Sequence, residues 1–206
     1  PLLTGRRTLT SWIDAWVGPG HSDGDGWRIS WQFVFYPGRP QGAGEIVNLW
    51  GLRSLEVGDT EPGHTVADQL DPVTVTVPDG VARVAVRLVT TGHAFGNTDN
   101  CAEFCPLRQD LLVNGERRSV LPWRTDCEYN PTGGQQGTWR YDRNGWCPGA
   151  IVPGALLDVT DLLGPSRELT LDLDVRRADG GEFVNTTSGG TAPFEWVSAQ
   201  LLYFSE

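Results

Sequence analysis

Trp27, Ile29, Trp31, Phe33 and Phe35 alternate with Arg28, Ser30, Gln32 and Val34. This is the period of a strand with one face buried and the other mostly polar, and it predicts a strand over 27–36. The same alternation recurs at Val73–Val77, at Val81–Thr90 and at Glu168–Val175, and a further β-rich run, Trp196–Phe204, closes the chain. Clusters of Gly, Pro, Asn and Asp separate these runs, as turns between strands require. No segment keeps a helical period over three turns, and only Asp158–Leu163 suggests a short helical turn. The pattern therefore predicts an all-β chain, an antiparallel jelly-roll sandwich.

Turn formers at Pro37–Gly44 interrupt the pattern and suggest a boundary near residue 40. Before it stand two expected strands, 8–17 and 27–36, and two strands cannot close a sandwich. Residues 1–40 are therefore expected to be the terminal strands of an otherwise missing jelly roll. Residues 41–206 hold enough strands for one complete jelly roll.

Composition narrows the classes. The 206 residues include 26 Gly, 14 Pro and 9 Trp, with 39% hydrophobic and 20% charged residues, a balance that suits a turn-rich globular protein and excludes disorder and coiled coil. All 16 basic residues are Arg, and against 26 acidic residues they leave a formal charge of -10, which disfavours nucleic acid or an anionic membrane as a partner. No run approaches the roughly 18 apolar residues of a spanning helix. The chain has no Met and starts at Pro1, so the expectation is that something precedes it.

The four cysteines, Cys101, Cys105, Cys127 and Cys147, fit two disulfides and an oxidising compartment, secreted or periplasmic. Of the three possible pairings the local one, 101 with 105 and 127 with 147, is the simplest. Zinc is the rival, but one pair is four residues apart and the other twenty, with only His21, His64 and His93 to complete a site.

Three segments carry candidate chemistry. The loop Thr90–Cys105 follows a hydrophobic strand and packs His93, Asn97, Asp99 and Glu103 into a stretch bounded by two cysteines; rigid scaffolds present catalytic groups on such loops. If Cys101 and Cys105 pair, the small ring points Glu103 in one direction. The run Gly137–Gly149 mixes Trp139, Tyr141, Asp142, Arg143, Asn144 and Trp146, residues suited to sugars through ring stacking and planar hydrogen bonding. A core Trp146 and an ion-paired Arg143 would be the structural alternative. Third, Trp12, Asp14 and Trp16 alternate onto one face of a strand, and a carboxylate between indoles has a raised pKa or a ligand.

Taken together these segments resemble the peptide:N-glycosidase F family, bacterial amidases that release N-linked glycans. The resemblance runs from Leu2–Gly5 through Trp16, Gly92–His93 and Cys101–Cys105. It is most specific at Asp142–Gly149. It implies two adjacent eight-stranded jelly rolls with the active site in the cleft between them. By position, Glu103 matches an activity-determining, substrate-binding glutamate, and Asp14 stands where the family has a cleft glutamate. Trp16, His93, Arg143, Trp146 and Asp142 fall among cleft-lining positions, and the family disulfides correspond to Cys101–Cys105 and Cys127–Cys147. Two departures concern sugar contacts: Thr91 where the family can place a Trp, and Phe104 where a Trp adjoins the glutamate.

The resemblance further implies hydrolysis of the asparagine side-chain amide to N-acetylglucosamine in an N-glycoprotein or glycopeptide, with no metal or cofactor. The family's principal aspartate lies in an Asp-Glu-Trp-Asp-Arg-like motif that these residues lack, so activity is expected only with an upstream N-terminal jelly-roll segment, possibly a separate chain. A secreted glycan-binding module without turnover is the alternative. A copper monooxygenase of the same architecture is less favoured, because three scattered His and no Met supply few copper ligands.

Overall fold

The structure, a computed structural model, describes residues 8–11, 20, 31, 43–129, 137–188 and 190–204. The chain divides into two compact units, Pro1–Gly42 and Ala43–Glu206. None of the described residues of the first unit lies in a strand. Asp14, Trp16 and the remainder of the expected strands at 8–17 and 27–36 lie outside the described residues.

The described residues of the second unit form ten strands: β1 Glu45–Glu56, β2 Val73–Thr76, β3 Arg83–His93, β4 Leu107–Val113, β5 Glu116–Val120, β6 Trp123–Arg124, β7 Arg143–Asn144, β8 Ala155–Asp158, β9 Glu168–Arg177 and β10 Phe194–Phe204. One four-stranded sheet runs β1-β10-β3-β8, a second runs β2-β9-β4-β5, and β6 pairs with β7 alone. All pairings are antiparallel. Relabelling the eight long strands in chain order gives the interleaved sheet orders of a jelly roll, with the β6–β7 ribbon inserted between the fifth and sixth.

Two of the strands that the alternation predicts have continuous inner faces. In β9 Leu169, Leu171, Leu173 and Val175 are buried, and in β10 Glu195, Val197, Ala199, Leu201 and Tyr203. The alternation does not single out β1, whose register against β10 shifts twice, between Asn48 and Trp50 and between Trp50 and Arg53. Each such irregularity resets the face on which side chains emerge. The helical turn at 158–163 is a 3-10 turn over Thr160–Leu162. One short α-helix, Val66–Gln69, starts at a capping box in which Thr65 and Asp68 satisfy each other's backbone N–H.

Two apolar clusters fill the sandwich. The larger joins Val84, Val86, Leu88, Leu111, Leu169, Leu171, Leu173, Val197 and Leu201 among others. The smaller lies under the disulfide-bounded loop and holds Val57, Cys101, Ala102, Cys105, Leu107, Val175 and Phe183. Each fully buried Leu contributes ~2 kcal/mol to stability. On the inner face of β4, Gln109 falls between Leu107 of the small cluster and Leu111 of the large one, so a polar layer separates the two.

Candidate active site

Both disulfides form as the simplest pairing had them, Cys101–Cys105 and Cys127–Cys147, and no described cysteine is free. The first closes a small ring around Glu103. That ring is pinned to the end of β3, where Ala102 and Glu103 donate backbone N–H bonds to the carbonyls of His93 (3.3 Å) and Ala94 (3.2 Å). The approach explains Gly92: a Cβ there would collide with the Ala102 carbonyl and the Asn144 amide. Gly145 answers a similar need, because its φ of +88° is costly for other residues and a Cβ would meet the Thr90 carbonyl. These two glycines let the ring and the β7 ribbon close onto β3.

Four of the sequence-derived residues meet here. Arg143 on β7 donates from Nε to Glu103 Oε1 at 2.9 Å, from one terminal nitrogen to Thr138 Oγ1 at 2.8 Å, and from the other to the Tyr141 carbonyl at 3.3 Å. Its guanidinium carbon stands 4.9 Å from the ring centroids of both Phe104 and Trp146. The Arg143 side chain is only 3% exposed, against 12% for Glu103, so the guanidinium faces protein and the carboxylate keeps an opening to solvent. The main chain reinforces the pair, with Asn144 N–H bonded to the Glu103 carbonyl at 3.0 Å.

Trp146 donates its indole N–H to the Gly92 carbonyl at 2.8 Å and stacks on His93 at 5.2 Å. His93 also stacks on Phe194 at 5.3 Å, and its Nε2 lies 2.8 Å from Thr91 Oγ1. Thus Thr91, one of the departures, holds the imidazole. Burial, aided by the nearby positive charge of Arg143, pushes the His93 pKa down to about 4, so the ring is neutral near pH 7. On the other side of Arg143, Phe104 makes edge contacts with Phe95 (5.8 Å) and Tyr141 (6.0 Å). Phe95 and Tyr141 are 59% and 61% exposed, so this end of the aromatic run offers ring surface to a ligand.

Asp142, which precedes β7, is exposed. Asp14 and Trp16 lie outside the described residues. A groove lined by Leu88, Val120, Pro122, Trp123, Pro153 and Gly154 has as its charged group Arg124, which is paired with Asp126 at 2.8 Å. It offers no carboxylate for hydrolysis.

Sequence reading missed the residues behind this site. Glu195 is fully buried on the inner face of β10, opposite Gly92. It accepts from Gln109 Nε2 at 3.0 and 2.8 Å and from Asn144 Nδ2 at 2.9 Å. A signal existed: Glu195 is in phase with Val197, Ala199 and Leu201, and Gln109 with Leu107 and Leu111, and a polar residue at a core position is unusual.

The chain is similar to known proteins in sequence and in fold. The peptide-N(4)-(N-acetyl-beta-D-glucosaminyl)asparagine amidase F of Elizabethkingia miricola is 24% identical over 160 residues, 74% of this chain and 43% of that protein. Solved structures of recombinant peptide:N-glycanase F and of PNGase F from Flavobacterium meningosepticum share the fold with TM-scores of 0.62 and identities of 18% and 19%. Each match covers 78% of this chain and 51% of the other. The structure of PNGF-II superposes with a TM-score of 0.58 at 18% identity, over 82% of this chain and 31% of that one. The chain thus spans about half the length, or less, of the relatives it matches. The family described as "Peptide-N-glycosidase F, C terminal" is matched over residues 63–189, more than half of the chain, and it is to this family that the chain belongs.

Proposed function

We propose that this chain serves a glycoamidase, hydrolysing the bond between an asparagine side-chain amide and the N-acetylglucosamine of an N-glycan. The observation that carries the reading is the pairing of Glu103 with Arg143 beside an aromatic run with exposed ends. In the reaction a water oxygen adds to the side-chain carbonyl while a base takes its proton. The C–N bond then breaks, the leaving nitrogen is protonated, and aspartate and a glycosylamine result. We assign the base to an aspartate of an upstream jelly-roll segment with an Asp-Glu-Trp-Asp-Arg-like motif, which is absent from these 206 residues. Glu103 orients the water and the first sugars. Arg143, being buried, acts by fixing Glu103, and Trp146, Tyr141 and Phe95 offer rings to apolar sugar faces. His93, neutral at physiological pH, presents an uncharged ring to the same region. The two disulfides fit a secreted or periplasmic protein.

The test is incubation of a denatured N-glycoprotein in oxygen-18 water with the 206-residue chain, and with the chain joined to its upstream coding sequence. The expected result is heavy oxygen at former glycan-bearing asparagines with the longer protein only. Glycopeptide binding without conversion by either form would replace this reading with that of a glycan-binding module. Neither binding nor conversion would end both.

A further inference from the structure

We propose that Glu195 is a positioning residue of this site, its carboxylate acting through Asn144 to fix the β7 strand and so to set Arg143 against Glu103. The significance of the residue it positions rests on the functional reading above; the mechanical linkage itself does not.

The linkage is continuous. The Asn144 amide points inward to Glu195 Oε1 at 2.9 Å, and the Asn144 backbone N–H bonds the Glu103 carbonyl at 3.0 Å. The residue before it, Arg143, bonds the Glu103 carboxylate at 2.9 Å. Gly92, directly across the sheet from Glu195, leaves the space in which the Asn144 amide lies. From the opposite sheet Gln109 grips both Glu195 oxygens. One buried carboxylate therefore ties two sheets and the β7 ribbon together at the point where the site is built.

Stability alone does not account for this layer. A buried polar network is often matched or exceeded in stability by apolar residues of similar volume, and Leu107, Leu111 and Val197 already line the adjoining positions. The layer also leaves Asn144 Oδ1 and Gln109 Oε1 buried without partners, each a cost of about 1–3 kcal/mol. Both amides thus give up their acceptors in order to aim N–H groups at the carboxylate. What the arrangement provides is orientation, since only one setting of Asn144 satisfies Glu195.

The interior also makes the linkage sensitive to pH. Burial, opposed by the two amide donors, pushes the Glu195 pKa up to about 7. The residues facing it are Leu55 on β1, Gly92 on β3, Gln109 on β4 and Asn144 on β7, none of them charged. The titratable or charged residues next to these, Glu56, His93, Arg108, Asp110 and Arg143, alternate onto the opposite faces of their strands. When protonated, Glu195 needs an acceptor for its O–H, and the two unpartnered amide oxygens are in place once an amide turns over.

The experiment follows three groups of the 206-residue chain by NMR across neutral pH: the Glu195 carboxyl carbon, the Arg143 Nε–H and the Trp146 indole N–H. The expected result is a common midpoint in the native chain, and loss of the Arg143 and Trp146 titrations in Glu195→Gln. In Glu195→Ala the Arg143 Nε–H should exchange with water about tenfold faster, through a more often opened bond. Because the native titration needs no variant, a misfolded mutant cannot hide the answer: an Arg143 signal that ignores the Glu195 midpoint overturns the proposal. So does unchanged Arg143 exchange in folded Glu195→Ala, which would leave Glu195 as packing only. Adding an asparagine-linked chitobiose peptide to the native sample separates the two ideas. If Trp146 tracks Glu195 but no signal responds to the peptide, either in this chain or in the chain joined to its upstream coding sequence, the positioning holds and the glycoamidase reading fails.

Discussion

The disulfide-bounded loop and the polar layer beneath it each hold one carboxylate, and they do so by different physics. Glu103 stands at the surface of the sandwich end and is met by a full opposite charge, Arg143, itself wedged between two aromatic rings. Glu195 lies in the interior and is met by neutral amide dipoles alone. A cation compensates a carboxylate that keeps some water; amides satisfy its hydrogen bonds without cancelling its charge, and the pKa rises. The first arrangement fixes a group that a substrate can reach, and the second fixes the scaffold that holds it. The difference can be broken at four points, taken from the largest expected effect downward.

Arg143→Ala should cost ~3–4 kcal/mol in urea denaturation, because it strands a nearly buried carboxylate and opens the space between Phe104 and Trp146. Arg143→Lys should recover less than half of this, since an ammonium cannot serve Glu103, Thr138 and Tyr141 from one plane. A loss near zero for the alanine would mean that Glu103 is well hydrated and the pair is worth little.

The pH dependence of stability sharpens the contrast, because two neighbouring groups act with opposite signs. Glu195 has its pKa raised by burial from 4.5 to about 7, so its contribution is complete below pH 4.5 and is lost as pH rises through 7. For His93, lowered from 6.5 to about 4 first by burial and then by Arg143, the contribution is complete above pH 6.5 and is lost as pH falls through 4. Each is worth on the order of 2–3 kcal/mol for complete burial, less for half-buried His93. In thermal melts between pH 4 and 7, Glu195→Gln should therefore lose stability on acidification more steeply than the native chain. His93→Gln should gain stability on acidification over the same window. Parallel profiles for all three proteins would show that neither group is shifted.

The two disulfides separate stability from site geometry. By loop length, replacing Cys127 and Cys147 with Ala should cost about 3 kcal/mol and replacing Cys101 and Cys105 about 2 kcal/mol. Affinity for an N-glycopeptide should follow the reverse order, because the shorter ring carries Glu103. Equal losses of affinity would make the ring a staple and nothing more. The smallest effect belongs to Phe104→Leu, which keeps apolar volume but removes the ring against Arg143, Phe95 and Tyr141. It should cost ~1 kcal/mol, read from the urea midpoint.

The sheet-forming runs and the candidate loops were legible because their signals are local. The alternation in Glu168–Val175 and Trp196–Phe204 encodes which side chains face inward whatever lies opposite, and β9 and β10 contain those runs. Cys101–Cys105 closes within one loop and needs no tertiary knowledge to be suspected. β1 was not legible, since its two register shifts break the period that reveals a strand. The part played by Arg143 stayed open between a ligand for sugar and an ion-pair partner, and only its 3% exposure and its bond to Glu103 decide for the pair.

What the sequence by itself determined is therefore the class of structure, the inward faces of β9 and β10, the simplest pairing of the four cysteines and the loops that carry Glu103 and Arg143. Tertiary structure alone decided that Glu103 meets Arg143 forty positions away, and that Glu195 finds Gln109 and Asn144 across 86 and 51. The physical reason is one of range. A period of two fixes the face of a side chain, but its partner depends on how the sheets stack, and that is set by the sum of all the inward faces at once.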